Sequence, residues 1–262
     1  MRFCALASGS SGNSIYVNHA DTHILVDAGI SCKRIEEALL SIGVDPASIS
    51  TILITHDHTD HIQGAAVFSR KYGTNIYATA GTLGAIVSGA RYRPDNSNLY
   101  AIEPDSYYDI GSIRAETFRL SHDAIDPVGF ALTAGGRRLG IATDLGCYDE
   151  SLLEHLRGAD ALYVEANHDV NILMMGRYPY SLKVRVNSEL GHLSNEACAS
   201  LVRETRCEGT RVVMLAHISK ENNFEELAFE TVRQSMLADQ RFSAVPRLMV
   251  ANRDRPTEVI EL

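Results

Sequence analysis

The segment His56-Asp57-His58-Thr59-Asp60-His61 constrains this chain more than any other feature in it. It follows the apolar run Thr51–Thr55, so the first histidine stands where a buried strand ends. Side chains two residues apart in an extended chain share a face, and His56 and His58 can therefore point the same way. If the backbone then turns into a helix, Asp60 and His61 come round to face a second centre. Imidazoles with a carboxylate, and no thiolate, suit zinc, manganese or iron. The His-x-His-x-Asp-His pattern arises by accident in roughly one chain of this size in a thousand. Three histidines crowded at a buried strand end have no simple structural use.

A centre with two ions needs more ligands, and the sequence offers them at the ends of further β-like runs. His122 closes one such run, Asp144 a second, His217 a third and Asp27 a fourth. Each alone reads as a polar turn residue. Their repeated placement beside the histidine motif makes all four candidates for the metal centre.

The elements around these residues alternate. Strands are expected at Arg2–Leu6, Ser14–Asn18, His23–Asp27, Thr51–Thr55, Asn75–Ala78, Ser112–Arg119, Val128–Thr133, Arg138–Thr143, Ala161–Glu165 and Arg211–Ala216. Helices are expected at Ser31–Ile42, Ile62–Tyr72, Thr82–Ser88, Glu150–Leu156, Asn195–Arg206 and Phe224–Met236. Gly135-Gly136 between two β-like runs reads as a hairpin turn. Periodicity gives an α/β or α+β chain, residues 1–262 forming one domain, and a four-layer αββα arrangement fits. Apolar residues make up 45% of the chain, enough for a sizeable core, and with no Trp it must be largely aliphatic.

Net charge is −9, which argues against a broad basic surface for nucleic acid but leaves room for a local basic patch. Cys4, Cys32, Cys147, Cys198 and Cys207 form no CxxC pair and read as reduced, buried thiols. The N-terminal residues do not read as a signal peptide, and no apolar run approaches a membrane span. A soluble cytoplasmic protein is the expectation, with no membrane partner and the oligomeric state open.

His-x-His-x-Asp-His followed by a His, an Asp and a final His at strand ends resembles the metallo-β-lactamase superfamily over nearly the whole chain. The resemblance implies an αββα sandwich of two similar halves with the site along one edge. It implies that His56, His58 and His122 hold one divalent ion and that Asp60, His61 and His217 hold the other. Asp144 is then the bridge, and Asp27 lies behind the ligands, orienting His56 or His61. Asp60 is counted among the catalytic residues as well as the ligands.

Local residues narrow the branch. Redox di-iron members carry a Glu where this chain has His58, and antibiotic-hydrolysing members usually have a Cys in place of Asp144. Gly191-His192-Leu193-Ser194-Asn195-Glu196-Ala197 and Glu165-Ala166-Asn167-His168-Asp169 resemble segments of the tRNA 3′-processing nucleases. That likeness implies His192 as general acid, with Glu165 as its partner and Ser194 as a helix cap. Together with Leu6-Ala7-Ser8-Gly9-Ser10-Ser11-Gly12-Asn13-Ser14 and His217-Ile218-Ser219-Lys220-Glu221-Asn222-Asn223, these segments are similar to the bacterial YycJ/WalJ group. Its members are associated with 5′→3′ exonuclease activity on double-stranded DNA. The stretch between Asp144 and His192 is too short for the inserted domain of RNA-cutting relatives.

The implied chemistry is in-line attack on phosphorus by a metal-activated hydroxide, with His192 protonating the leaving oxygen. Arg177, Lys183 and Arg185, interleaved with Tyr178 and Tyr180, are candidates for phosphate contacts. Arg91 with Arg93, and Arg137 with Arg138, are basic pairs without a place in this scheme. Two alternatives stand beside the nuclease. One is a small-molecule phosphodiesterase or thioester hydrolase on the same metal site, which the acidic net charge favours. The other is a metal-binding regulator without catalysis, which the full ligand set argues against.

Overall fold

The computed structural model of the chain describes residues 1–89 and 93–262. Arg91, one of the unplaced basic residues, lies outside them. The chain forms two seven-stranded sheets. The first holds β1 (Arg2–Ala7), β2 (Ser14–His19), β3 (Thr22–Val26), β4 (Thr51–Leu53), β5 (Asn75–Ala78) and β6 (Leu99–Ala101) in spatial order. The second holds β7 (Tyr107–Ile110), β8 (Ile113–Arg119), β9 (Val128–Ala134), β10 (Arg137–Ala142), β11 (Ala161–Glu165), β12 (Val212–Ala216) and β13 (Arg247–Val250). The last strand, β14 (Ile260–Glu261), returns to pair antiparallel with β1.

The two sheets are built alike. Each begins with antiparallel strands and continues with parallel ones, from β3 onward in the first and from β10 onward in the second. Parallel strands need crossover helices. The first half supplies α1 (Cys32–Ser41), α2 (Thr59–Ile62), α3 (Ala65–Tyr72) and α4 (Ala80–Gly89). The second supplies α5 (Glu150–Leu156), α6 (Val170–Met175), α7 (Tyr180–Val186), α8 (Asn195–Thr205) and α9 (Glu225–Ala238).

Alternation along the strands assigns the faces. Phe3, Val17 and Ile24 pack between the sheets with Phe130, Tyr163 and Met214. Their neighbours Cys4, Leu25 and Ile52 turn outward onto Ile35, Leu39 and Phe68 of α1 and α3. On the other side, Leu162, Val213 and Leu215 pack with Leu153, Leu201 and Val232 of α5, α8 and α9. The result is the expected αββα order of layers. Gly135 and Gly136 form the β9–β10 hairpin with φ of 57° and 71°, as the double glycine predicts.

The structure corrects several expectations. The helix expected at Ile62–Tyr72 is two helices that meet at Gly64, where a Cβ would lie 2.2 Å from the Ile30 carbonyl oxygen. The strands β6, β7, β13 and β14 have 2–4 residues each, too short for a period-two pattern to show. The segment between Glu165 and His192, with no element expected, carries α6 and α7. Of the five cysteines, all free, Cys147 and Cys207 are only half-buried. No helix among the described residues is long and apolar enough to cross a membrane.

Candidate metal centre

The histidine motif leaves β4 in the predicted way. His58 is still extended (φ −62°, ψ 144°) and immediately precedes α2, which carries Asp60 and His61. The His56 and His58 rings consequently lie 4.7 Å apart, while His61 approaches His56 from within the helix at 4.0 Å. Asp27, just beyond β3, supports this loop. Its carboxylate accepts from Thr55 N at 2.9 Å, from the Thr55 hydroxyl and from His61 Nδ1 at 2.7 Å. Of the two ligands Asp27 was expected to orient, the direct contact is to His61; His56 Nδ1 rests 3.0 Å from the Thr55 hydroxyl.

The Ser-Gly-rich turn joins β1 to β2 as a hairpin loop and packs against the same motif. Asn13 N donates to the Asp60 carbonyl at 2.8 Å, and Asn13 Nδ2 lies 3.0 Å from His61 Nε2. Gly29 closes that approach: a Cβ there would sit 1.6 Å from the Asp60 carbonyl oxygen.

The second half contributes one residue per strand end. His122 follows β8 and donates Nδ1–H to the Gly191 carbonyl at 3.0 Å, with Nε2 3.3 Å from His58 Nδ1. Asp144 follows β10, and His217 follows β12 with its N–H donated to Ser8 Oγ at 2.9 Å. Asp27, Asp144 and His217 all adopt left-handed backbone, with φ of 61°, 61° and 51°. Such non-glycine conformations cost on the order of 1–3 kcal/mol each and persist where the surroundings over-determine them.

Glu165, the last residue of β11, is completely buried. Its Oε1 accepts from His192 Nδ1 at 2.7 Å and from His217 Nδ1 at 2.9 Å. Its Oε2 accepts from Leu145 N at 3.1 Å and Leu193 N at 3.3 Å. Glu165 thus stands behind two imidazoles with both oxygens occupied. Ser194 caps α8 as expected, accepting from Ala197 N at 3.2 Å, and so fixes where His192 leaves the helix start.

Candidate ligand atoms gather in four connected groups, within 4.8 Å of one another: His56, His58 and His122; Asp60, His61 and His217; His56, His61 and Asp144, which links those two; and Asp144, Glu165, His192 and His217. Three atoms in these groups are buried without a hydrogen-bond partner: His56 Nε2, His217 Nε2 and Asp144 Oδ2. Asp144 Oδ2 does approach His61 Nε2 at 3.2 Å. A buried polar atom without a partner costs about 1–3 kcal/mol. A divalent cation satisfies imidazole nitrogens and a carboxylate oxygen together, so the donor set fits divalent metal.

The electrostatics divide the histidines: burial pushes all four down and prevails at His56 and His122, whereas nearby carboxylates outweigh it at His61 and His217 and hold them above the ordinary imidazole range. Burial, reinforced by His61, holds His56 well below the ordinary imidazole range, in the neutral form a ligand needs. For Asp144, burial pushes upward but His217 and His61 outweigh it, keeping the carboxyl well below its usual range. For His61, burial pushes downward and Asp27 and Asp144 outweigh it.

These groups open into a cavity of about 240 Å³ lined by His58, Asp60, Asp144, His192 and His217, with Tyr178, Leu182 and Arg185 of the α6–α7 segment as one wall. Of the three proposed phosphate contacts, Arg185 alone lines this cavity, and its Nε donates to Asp123. Lys183 donates to the Met174 carbonyl at 2.7 Å, and Arg177 is exposed. Sequence reasoning missed Asn13, Thr55 and Asn167, whose Nδ2 donates to the His217 carbonyl at 2.9 Å. Their positions beside the motifs were the available signal, but polar residues of this kind are common in any turn.

The family described as Beta-lactamase superfamily domain matches residues 22–218, from the start of β3 to the residue after His217. The chain belongs to the metallo-β-lactamase superfamily. Within this superfamily it is 40% identical over 241 residues to an exodeoxyribonuclease named WalJ from Streptococcus pneumoniae, covering 91% of this chain and 89% of that one. It is 37% identical over 235 residues to an exodeoxyribonuclease named YycJ from Bacillus anthracis, covering 89% and 88%. Zn(2+)-bound PqqB from Methylobacterium extorquens superposes over 100% of both chains with a TM-score of 0.75 at 18% identity, a likeness of fold. This metallo-β-lactamase superfamily member is a hydrolase that binds divalent metal.

Proposed function

We propose that the protein is a DNA exonuclease that hydrolyses phosphodiesters with two divalent ions. His56, His58 and His122 hold one ion, Asp60, His61 and His217 the other, and Asp144 bridges them. The observation that carries the reading is the 2.7 Å contact of His192 Nδ1 with Glu165, beside the candidate ligands and in the same cavity. A carboxylate behind an imidazole also supports a metal ligand, as Glu165 does for His217; His192 stands outside the two ligand triads, where cleavage of a poor leaving group calls for a proton donor. The exodeoxyribonuclease relatives, matched over nine-tenths of the chain, support DNA as the substrate; 5′→3′ is the direction that the resemblance to the YycJ/WalJ group implies, and the one to test first. They lend nothing to the small-molecule alternative.

When bound, the divalent metal supplies an activated water and neutralises charge on the phosphate oxygens. The chain's own residues do the rest. Glu165 accepts the Nδ1 proton of His192, which leaves Nε2 as the nitrogen for substrate. Burial pushes the His192 imidazole down, but Glu165 outweighs it and raises it above the ordinary value, which favours the protonated form. From there it can protonate the departing sugar oxygen. Asp27 fixes the ring of His61, and Thr55 that of His56. The wall formed by Tyr178, Leu182 and Arg185 screens one side of the cavity from water.

The test is digestion of end-labelled duplex and single-stranded DNA, with zinc, manganese and iron supplied separately. Nucleotides should leave progressively from 5′ ends, and elemental analysis should approach two metals per chain. Hydrolysis of a chromogenic phosphodiester with DNA left intact would put the small-molecule reading in its place.

A further inference from the structure

A second cavity, of about 270 Å³, adjoins the metal centre and shares Ser219 with it. Its walls include Ser8, Lys220, Phe224 and Arg253. Ser8 accepts from the His217 N–H, but folding does not account for the exposure of Phe224 or for the charges of Lys220 and Arg253. Phe224 occupies the N-cap position of α9, where Ser, Thr, Asp or Asn would bond a free helix N–H. It makes no capping bond, and it is 51% exposed. Lys220 and Arg253 have no carboxylate partner among the described residues, in a chain of net charge −9. Arg253 is instead fixed by donating to the Ile218 carbonyl at 2.8 Å, and it lies across Gly9, where a Cβ would sit 3.0 Å from its guanidinium. Glu225 and Glu226 also border the cavity, but they have a reason in the helix: acidic residues in the first turn of α9 complement its dipole.

An exposed aromatic ring and two cations outside any ion pair, with Glu225 and Glu226 at the border and one step from a phosphodiester-cleaving centre, make a consistent set. The cavity is smaller than the roughly 300–1,000 Å³ of drug-sized ligand sites, so it takes one nucleoside unit. We propose that it is a nucleotide subsite, holding the nucleotide next to the scissile phosphate, with its base against Phe224 and its outer phosphate drawn by Lys220 and Arg253. The assignment rests on the phosphodiesterase reading above and adds the group that is recognised. Stacking of a base on an aromatic ring tolerates any base, which suits an enzyme that must advance along a strand whatever its sequence.

Calorimetric titration of the metal-loaded full-length protein tests this without any DNA cleavage. Two ligands are compared, deoxyadenosine 5′-monophosphate and deoxyribose 5-phosphate. Both carry the same phosphate to the metals, so their difference reports the base alone. The nucleotide should bind roughly 5- to 150-fold tighter, the span expected for one base stack. Phe224→Ala should abolish that preference, and Phe224→Trp should keep it. Because Phe224 is half exposed, its truncation leaves the core intact. Equal affinities in the wild type, or a preference that survives Phe224→Ala, overturns the subsite. A protein that shows the preference but degrades no DNA would keep the subsite and lose the exonuclease reading.

Discussion

The two halves of the sandwich repeat one architecture but supply the candidate metal centre in opposite ways. In the first half a single loop after β4 delivers His56, His58, Asp60 and His61 within six positions. In the second half His122, Asp144, Glu165 and His217 each come from a different strand, separated by up to 95 positions (His122 to His217). Each ion group draws on both halves, since His122 completes one and His217 the other. A local motif needs only the correct turn. A dispersed set needs the whole sheet in register, because every strand end must finish at the same edge. Three of the left-handed residues mark the join: Asp27 lies in the first half, and Asp144 and His217 in the second.

The largest effect should come from removing one ligand in each half. His58→Ala and His217→Ala should each abolish turnover and lower the bound metal, while far-ultraviolet circular dichroism stays near wild type because the cores lie away from the site. Wild-type cleavage rates in purified His58→Ala would break the equivalence of the halves and the catalytic role of the centre.

Next in size is His192, present in the second half with no counterpart in the first. His192→Ala should slow DNA cleavage by roughly 10²–10⁴, the value of a lost general acid. Hydrolysis of a p-nitrophenyl phosphodiester should fall much less, since p-nitrophenolate leaves without a proton, and bound metal should not change. Equal losses on the two substrates would make His192 a positioning residue, and loss of metal would make it a ligand.

A smaller effect is expected behind the ligands. Asp27→Asn keeps the shape but weakens the hold on His61 Nδ1, and metal affinity should drop by about 10- to 100-fold. Competition with a metal chelator measures it. An unchanged affinity would mean that Thr55 alone orients the loop.

The smallest concerns the second sheet away from the centre. Burial pushes Glu116 upward, but Arg138 and His155 outweigh it and keep its carboxyl below the ordinary value. A depressed folded value gives stability that is present above the unfolded value of about 4.3 and is lost as pH falls through the folded one. Glu116→Gln should therefore lower Tm at pH 7 by a few degrees, on the order of 1 kcal/mol, and flatten its decline below pH 4. A Tm profile parallel to wild type would show that the pair contributes nothing.

How much of this was readable follows the same division. The loop from His56 to His61 announced both the chemistry and the direction of its side chains, because an extended residue pair and a helix start are local events. The αββα layers were legible where strands were long enough to show alternation, as in β8 and β9. The helices α6 and α7 were not: they have 6 and 7 residues, Met174 and Met175 of α6 are exposed, and Leu182 and Val186 of α7 line a cavity, so neither shows a buried stripe. Of the phosphate contacts proposed for that segment, Arg185 lines the cavity, whereas Lys183 turns onto the Met174 carbonyl.

Residue types and spacing by themselves determined that this chain carries a His/Asp metal motif at a strand end and enough alternating apolar residues for two covered sheets. The tertiary structure decided which distant residues complete the centre. It put Glu165 behind both His192 and His217, set Asp27 on His61 before His56, seated the Ser8–Ser14 loop against Asp60, and opened the cavity beside Phe224. The reason is physical. Spacing along a chain reports only neighbours within a turn or a pleat, whereas a shared carboxylate or a cavity wall depends on how strands from both halves are paired and how far each extends before it ends.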